Sequence, residues 1–400
     1  MGYRFAQDFM DRIDFQDTAT AFRHLTDKDL VYSSRLFSLF GQTWLLNAGK
    51  PLLKFSLSAG LPVKGLIRST IFRQFCGGEF IEDCIETIQK LGKGNVKSIL
   101  DYSVEGKETE DDFRRNAEEI IATVKKAKSN PNIPFCVFKV TGVARFSLLE
   151  EANSGEKLQD AAKAEYEMVK HRIENICRAA FEAGIPILID AEETWIQNTI
   201  DRLAEDMMTL FNKEQHIVYN TVQLYRHSRL EYMQNLYERS LQLGFKPALK
   251  LVRGAYMEKE RERARKMGYP SPINPTKEAT DDDFNKALDF CLKHHPHFAI
   301  CAGTHNEESS QHLVNLINHY GLSVNDPHIW FSQLLGMSDN ISYNLAAKGY
   351  NVTKYVPYGP IEEVMPYLIR RAEENTSIEG QTGRELNLIR KELERRKNSK

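Results

Sequence analysis

The chain has 400 residues, 42% of them hydrophobic and 27% charged, an ordinary globular composition that excludes a mostly disordered or fibrous protein. Its 53 Lys and Arg against 55 Asp and Glu leave a formal charge of −2, without the basic excess of a dedicated nucleic-acid binder. Cys76, Cys84, Cys136, Cys177, Cys291 and Cys301 form no C-x-x-C pair, which points to buried thiols in a reducing compartment.

The first segment, 1–95, reads as a helical arm. It shows no period-two alternation and is punctuated by Pro51, Pro62 and Gly77-Gly78. Met1 to Arg4 is followed by Asp8, Asp11 and Asp14 rather than an apolar run, so neither a secretory signal nor a transit peptide is expected. A cytoplasmic location follows, with peripheral contact at the inner membrane as an option. The longest uncharged run, Leu36 to Gly49, has 14 residues, short of the roughly 20 needed to span a bilayer. Across the most apolar region, 36–72, a buried helix is expected, with a membrane-touching surface as the alternative.

From residue 96 the texture changes. Apolar, β-branched runs begin at Ser98, Phe135, Ile185, Ile217, Pro247, Phe298, His328 and Val352. Amphipathic stretches separate them: Glu110–Lys128, Lys157–Ala183, Trp195–Phe211, Ser228–Leu243, Asp281–Lys293, Glu307–His319 and Ser338–Lys348. Near-continuous apolar strands suit a parallel sheet covered on both faces. Eight such units fit a (β/α)8 barrel better than an open doubly wound sheet. The expected organisation is an α/β protein with a helical arm at 1–95, a distorted (β/α)8 barrel of TIM type at 96–385 and a basic helical tail at 386–400. The tail reads as a frayed, solvated helix, with an electrostatic membrane contact as the alternative.

No dinucleotide-binding glycine fingerprint, Walker loop, H-E-x-x-H or G-x-S-x-G occurs. The cluster His294-His295-Pro296-His297 has no nearby carboxylate in sequence, so a solvated helix terminus is expected and no metal site. The strand ends are more informative, because barrel chemistry sits at the C-terminal ends of the strands. Lys139 interrupts the second run and Asp190 follows the third. Gln223 closes the fourth, and Lys250, Arg253 and Tyr256 mark the fifth. Thr304, His305 and Asn306 follow the sixth, Gln333 lies on the seventh and Tyr355 on the eighth. Each such group costs burial free energy unless paired, so together they should converge on a ligand. After Pro360, Tyr367, Arg370, Arg371 and Glu374 share one broad helical face. Two adjacent guanidiniums can fork onto a carboxylate. A surface arginine pair bridged to Glu374 fits the spacing equally well.

The stretches Lys250–Tyr256, Gly303–Asn306, Tyr355–Pro360 and Tyr367–Asn375 resemble the signatures of the proline dehydrogenase family, in the same order along 96–385. The N-terminal Phe72–Glu79 resembles the eukaryotic-type branch. The resemblance implies non-covalent FAD at the strand C-termini. It also implies oxidation of L-proline to Δ1-pyrroline-5-carboxylate with a quinone as electron acceptor, and a separate pyrroline-5-carboxylate dehydrogenase downstream. It implies that Arg370, Arg371 and Lys139 clamp the substrate carboxylate, and that Tyr355, Tyr256 and Leu334 pack against its ring. Asp190 then lies near substrate and flavin, and Glu374 orients an arginine. Gln223, Lys250, Arg253, Thr304, His305 and Asn306 match flavin-binding positions. Three other readings stay open: a hydroxyproline dehydrogenase on the same scaffold, a Schiff-base aldolase using Lys139 or Lys250, and a non-enzymatic scaffold whose arginine pair binds an anionic partner.

Overall fold

A computed structural model of the chain describes residues 12–40, 64–104, 106–377 and 381–399. Eight strands close into a parallel barrel in sequential order: β1 (Val96–Tyr102), β2 (Phe135–Phe138), β3 (Ile187–Ile189), β4 (Val218–Gln223), β5 (Ala248–Val252), β6 (Ala299–Gly303), β7 (Ile329–Leu334) and β8 (Val352–Tyr358). The seam is the β1–β8 pairing, with Ile99 opposite Tyr355. All eight apolar runs become strands. β2 is shorter than the sequence suggests: it ends at Phe138, and a turn at Val140–Gly142 leaves Lys139 just beyond the strand.

Side chains alternate between two faces along each strand. One set fills the barrel interior, including Ile99, Phe135, Val137, Leu188, Tyr219, Ala248, Ala299 and Cys301. Phe135 stands at its centre, edge-on to Tyr219 at 5.2–5.4 Å spacing shared with Trp330: 5.4 Å to Tyr219 and 5.2 Å to Trp330. The other set, with Leu100, Ile189, Val222, Leu251, Phe331 and Val356, packs beneath the surrounding helices. All six cysteines are buried free thiols.

Two helices were not legible in the hydrophobic pattern. Phe146–Asn153 is short. Met257–Met267 (MEKERERARKM) is so charged that it reads as solvated surface, yet its charges hold it in place. Glu260 accepts the Thr194 backbone N–H at 2.7 Å, Lys259 meets Glu193, and Arg263 lies 4.4 Å over the Trp195 ring. The helix is thereby tied to the loop after β3.

The described part of the N-terminal region is helical at Asp27–Phe40, Lys64–Ile67 and Cys84–Gly92. Leu36 and Phe37 are buried in one cluster with Ile361, Val364, Leu368 and Leu388; most of the apolar run that starts at Leu36 lies outside the described residues. The basic tail corrects the expectation of a frayed, solvated helix. Gln381–Asn398 is a continuous helix with Leu388, Ile389 and Glu392 buried. Glu392 takes both Arg395 and Arg396, and Arg396 also donates to the Phe22 and Leu25 carbonyls at 2.8 and 2.9 Å. Arg396, and Lys391 through the Gln16 carbonyl at 2.9 Å, thus fasten the tail to the arm. Among the described residues no helix is long and apolar enough to cross a membrane.

A buried polar network joins arm, tail and barrel. Lys354, fully buried on the outer face of β8, pairs with Asp339 at 2.8 Å, and His24 of the arm lies 3.4 Å from the same carboxylate. The neighbouring Ser338 holds the left-handed conformation (φ 51°), costly for a residue with a Cβ. It is held there by Glu385, which accepts its N–H, and by His305 Nδ1 at 2.9 Å from its hydroxyl. Burial, with the Asp339 charge beside it, pushes the Glu385 carboxyl up to about 7.

Phe135→Ala should lower the unfolding free energy by about 3–5 kcal/mol, measured by denaturant titration; a loss below about 1 kcal/mol would show that the interior is not packed around this ring. Glu385 adds a pH dependence. The folded chain keeps that proton up to about pH 7, whereas the unfolded chain releases it near 4.5. The folded state binds the extra proton across that window, so stability falls as pH rises through it and levels off above. Glu385→Gln, which can still accept the Ser338 N–H, should flatten this part of the stability–pH curve.

Candidate active site

The strand periodicity aims the site. Asp101 shares the inward parity of Ile99, Lys139 that of Val137, Asp190 that of Leu188, Gln223 that of Tyr219, and Lys250 that of Ala248; Tyr355 itself belongs to the interior cluster. Carried to the C-terminal rim, this parity brings cations, carboxylates and a phenol into one buried group. Asp190 accepts Lys250 Nζ at 2.7 Å on one oxygen and the Tyr355 hydroxyl at 2.8 Å on the other. Lys139 Nζ lies 3.9 Å from Asp190 and 4.0 Å from Asp101. Lys250 Nζ also stands 4.6 Å from the centre of the Tyr355 ring. Leu334, at the end of β7, packs against this interior cluster.

The two carboxylates are driven apart. Burial pushes both up. At Asp190 the Lys250 and Lys139 ammoniums together outweigh it, so the carboxyl is held below its usual range. At Asp101, which is fully buried, Lys139 only partly offsets burial and the Asp190 charge adds to it, so the carboxyl is raised. Burial and both neighbouring carboxylates raise the Tyr355 phenol well above its ordinary value, so it remains a proton donor. Lys250 is engaged as a donor to Asp190 rather than presented as a nucleophile, which disfavours the Schiff-base reading.

A second group surrounds Arg253, just past β5. Its guanidinium donates to Asp281 at 2.6 Å, to the Thr304 hydroxyl at 2.6 Å and to the Ser309 hydroxyl at 2.9 Å. Asn306 caps the following helix by accepting the Ser309 N–H at 2.8 Å. His305 is driven down to about 3 by burial and by the cations Lys354, Arg371 and Arg253, so its imidazole is neutral. Gln223 donates to the Glu192 carbonyl at 2.7 Å and accepts the Ala255 N–H at 3.4 Å, linking the loops after β3 and β5. Gln333, by contrast, faces outward, donating to the Thr304 carbonyl at 3.0 Å and accepting from Ser342 at 2.8 Å; its role is scaffolding.

The helix Ile361–Ser377 carries the arginine pair. Arg370 lies 5.7 Å from the Tyr256 ring at the start of helix Met257–Met267, and Arg371, only 6% exposed, lies 5.1 Å from the Tyr367 ring. A buried Arg371 rules out the surface-pair reading for that residue. The Glu374 side chain lies outside the described residues.

Sequence reasoning left out Asp101 and Glu192. Asp101 ends an apolar run (Ile99-Leu100-Asp101) in the manner of Ile189-Asp190, and that likeness was the available signal. Glu192 accepts the Thr141 N–H at 3.0 Å and so braces the turn that carries Lys139; nothing local in the sequence marks it.

A family model and several curated relatives name one family. The family model described as proline dehydrogenase matches residues 84–384. The protein named proline dehydrogenase 1, mitochondrial, of Dictyostelium discoideum is 30% identical over 426 residues, covering 95% of this chain and 74% of the relative. That of Arabidopsis thaliana is 30% identical over 440 residues, covering 96% and 87%. Among solved structures, proline utilization A from Bdellovibrio bacteriovorus superposes with a TM-score of 0.72 at 18% identity, over 91% of this chain. The chain spans 42% of that larger protein, and the likeness carries the fold alone. On the match through the whole barrel and on two relatives aligned over nearly all of this chain, the chain belongs to the proline dehydrogenase family.

Proposed function

We propose that the chain oxidises L-proline to Δ1-pyrroline-5-carboxylate, with FAD held non-covalently at the strand C-termini and a quinone as final acceptor. The observation that carries this reading is the buried Asp190–Lys250–Tyr355–Lys139 group at the barrel mouth of a chain from this family. Proline brings one carboxylate and one apolar ring, and both have counterparts here. Arg370, Arg371 and Lys139 would bind the carboxylate through forked guanidiniums and a point charge. Tyr355, Tyr256 and Leu334 would pack the ring. Fixing the reacting carbon in this way lowers the barrier by removing orientational freedom. Oxidation removes a hydride from the ring carbon next to nitrogen and a proton from the nitrogen, leaving an imine. Asp190, held ionised by its lysines, supplies negative charge where that nitrogen becomes cationic. Glu374 would orient one of the arginines.

The donor set fits a flavin dinucleotide. Burial first, and then the neighbouring Lys354, Arg371 and Arg253, lower His305, so it would meet a cofactor as a neutral imidazole beside guanidiniums of the kind that bind diphosphates. Gln223, Lys250, Arg253, Thr304, His305 and Asn306 would hold the cofactor. Three of the guanidinium N–H groups of Arg253 already serve Asp281, Thr304 and Ser309, so it contributes field and rigidity as well as contact. FAD, when bound, supplies the hydride acceptor that no side chain provides. The 96–385 segment would then be the catalytic barrel, 1–95 the arm and 386–400 a docked tail. A quinone dissolved in a membrane requires peripheral contact, from the cytoplasmic face or from the mitochondrial compartment named for the relatives.

Anaerobic addition of L-proline to the purified chain should bleach its visible flavin absorbance; protein that stays colourless after FAD is supplied would refute the reading. Hydroxyproline in the same assay should give the lower kcat/KM, because the buried Tyr355 phenol crowds a ring hydroxyl. Arg371→Ala should raise KM for proline at least about tenfold with flavin content retained, the loss of roughly 1.4 kcal/mol of binding. Unchanged proline kinetics would contradict the clamp.

A further inference from the structure

The opposite end of the barrel holds a second cluster. His295 lies in the connection from helix Lys277–Lys293 to β6, and His328 immediately precedes β7, so both sit at the N-terminal rim. The sequence shows no carboxylate near the histidine run; the fold supplies one from another loop. His295 Nε2 lies 3.2 Å from one Asp326 oxygen and His328 Nδ1 lies 3.3 Å from the other. The three ligand atoms fall within 4.8 Å of one another.

We propose that His295, Asp326 and His328 bind a divalent transition-metal ion of the Zn2+ class. Two imidazoles and one carboxylate are a borderline-soft set that suits Zn2+, Co2+ or Ni2+ rather than Mg2+ or Ca2+. Bonds of about 2.0–2.1 Å at tetrahedral angles put neighbouring ligand atoms about 3.3 Å apart; each histidine already stands at that distance from one Asp326 oxygen, and side-chain adjustment within the 4.8 Å spread would complete the set. Ordinary histidine–carboxylate hydrogen bonding does not account for the cluster, because the buried His295 Nε2 makes no hydrogen bond despite its closeness to Asp326.

The surroundings are already fixed. An Asp326 oxygen accepts the His328 backbone N–H at 2.9 Å, and the Asp326 carbonyl takes the Asn351 side-chain amide at 2.7 Å. His216 stands edge-on to His328 at 4.9 Å and holds the imidazole against the rim. His328 is 35% exposed, which gives an ion a way in and leaves a fourth position to solvent. The ion would cross-link the start of β7 to the connection before β6, far along the strands from Asp190 and Lys250. Its role is therefore structural.

The test uses the full chain with its cofactor, purified without a histidine tag and stripped with a chelator. Titration with Zn2+ should show one tight equivalent and a rise in melting temperature of roughly 3 °C at saturating metal. Co2+ should give the visible absorption of a four-coordinate nitrogen–oxygen site. His328→Gln and Asp326→Asn should each weaken binding at least about tenfold while His294→Gln does not. Proline turnover should persist in all three variants. Should Asp326→Asn fail to fold, the half-exposed His328→Gln decides alone. Absence of a tight equivalent in the parent chain, or equal binding by His328→Gln, would overturn the proposal.

Discussion

Two ammoniums, two carboxylates and a phenol share the mouth of the barrel with almost no water to shield them. Ions taken out of water lose several kcal/mol of hydration each, and only close, complementary pairing recovers it. Asp190 meets this condition by using both oxygens at once, one for Lys250 and one for Tyr355. Lys139 then stands between Asp190 and Asp101 and lets a second carboxylate remain in the same space. Removing Asp190 or either lysine strips a buried charge of a partner, and removing Tyr355 strips Asp190 of a hydrogen bond, so the group acts as a unit. Much of the surrounding architecture reads as support for that unit. The Thr141–Glu192 contact braces Lys139, the Asp190 N–H is fixed on the Phe138 carbonyl at 2.9 Å, and Gln223 locks the adjoining loops.

The barrel itself was legible because eight buried strands need eight apolar runs, a count that fits a closed barrel better than an open doubly wound sheet. The inward group was legible for a related reason. A Lys or Asp inside an apolar run is costly enough to stand out, as Lys139, Asp190 and Lys250 do. Asp101 carried the same signal in a shorter form. The helix Met257–Met267 escaped because its stabilisation is polar: hydrophobic periodicity carries no information about Glu260 reaching Thr194 or Lys259 reaching Glu193. The tail escaped for a similar reason, since Glu392 turns two apparently free arginines into internal partners. The roles of the arginine pair and the flavin-binding positions came from the family resemblance, because spacing alone cannot tell a clamp from a surface pair.

Both rims of the barrel use long-range polar contacts, to different ends. At the C-terminal rim, charge is concentrated and dry. At the N-terminal rim, His295, Asp326 and His328 come from segments more than thirty positions apart yet remain in reach of solvent. Neither arrangement is visible as a local motif. Each exists because parallel strands return every connection to the same end of the sheet.

The eighth strand has a further property that bears on how the barrel closes. Lys354 faces outward onto Asp339, and the next residue, Tyr355, faces inward onto Asp190. Slipping β8 by one position against β1 would turn Lys354 into a space already holding Lys139 and Lys250, and would leave Asp339 opposite a phenol. Apolar strands alone would tolerate such a shift, since Val352 and Val356 are interchangeable in bulk with many neighbours. Electrostatics therefore proofreads the last joint of the barrel, and the same residues that equip the mouth for chemistry also reject a misthreaded seam.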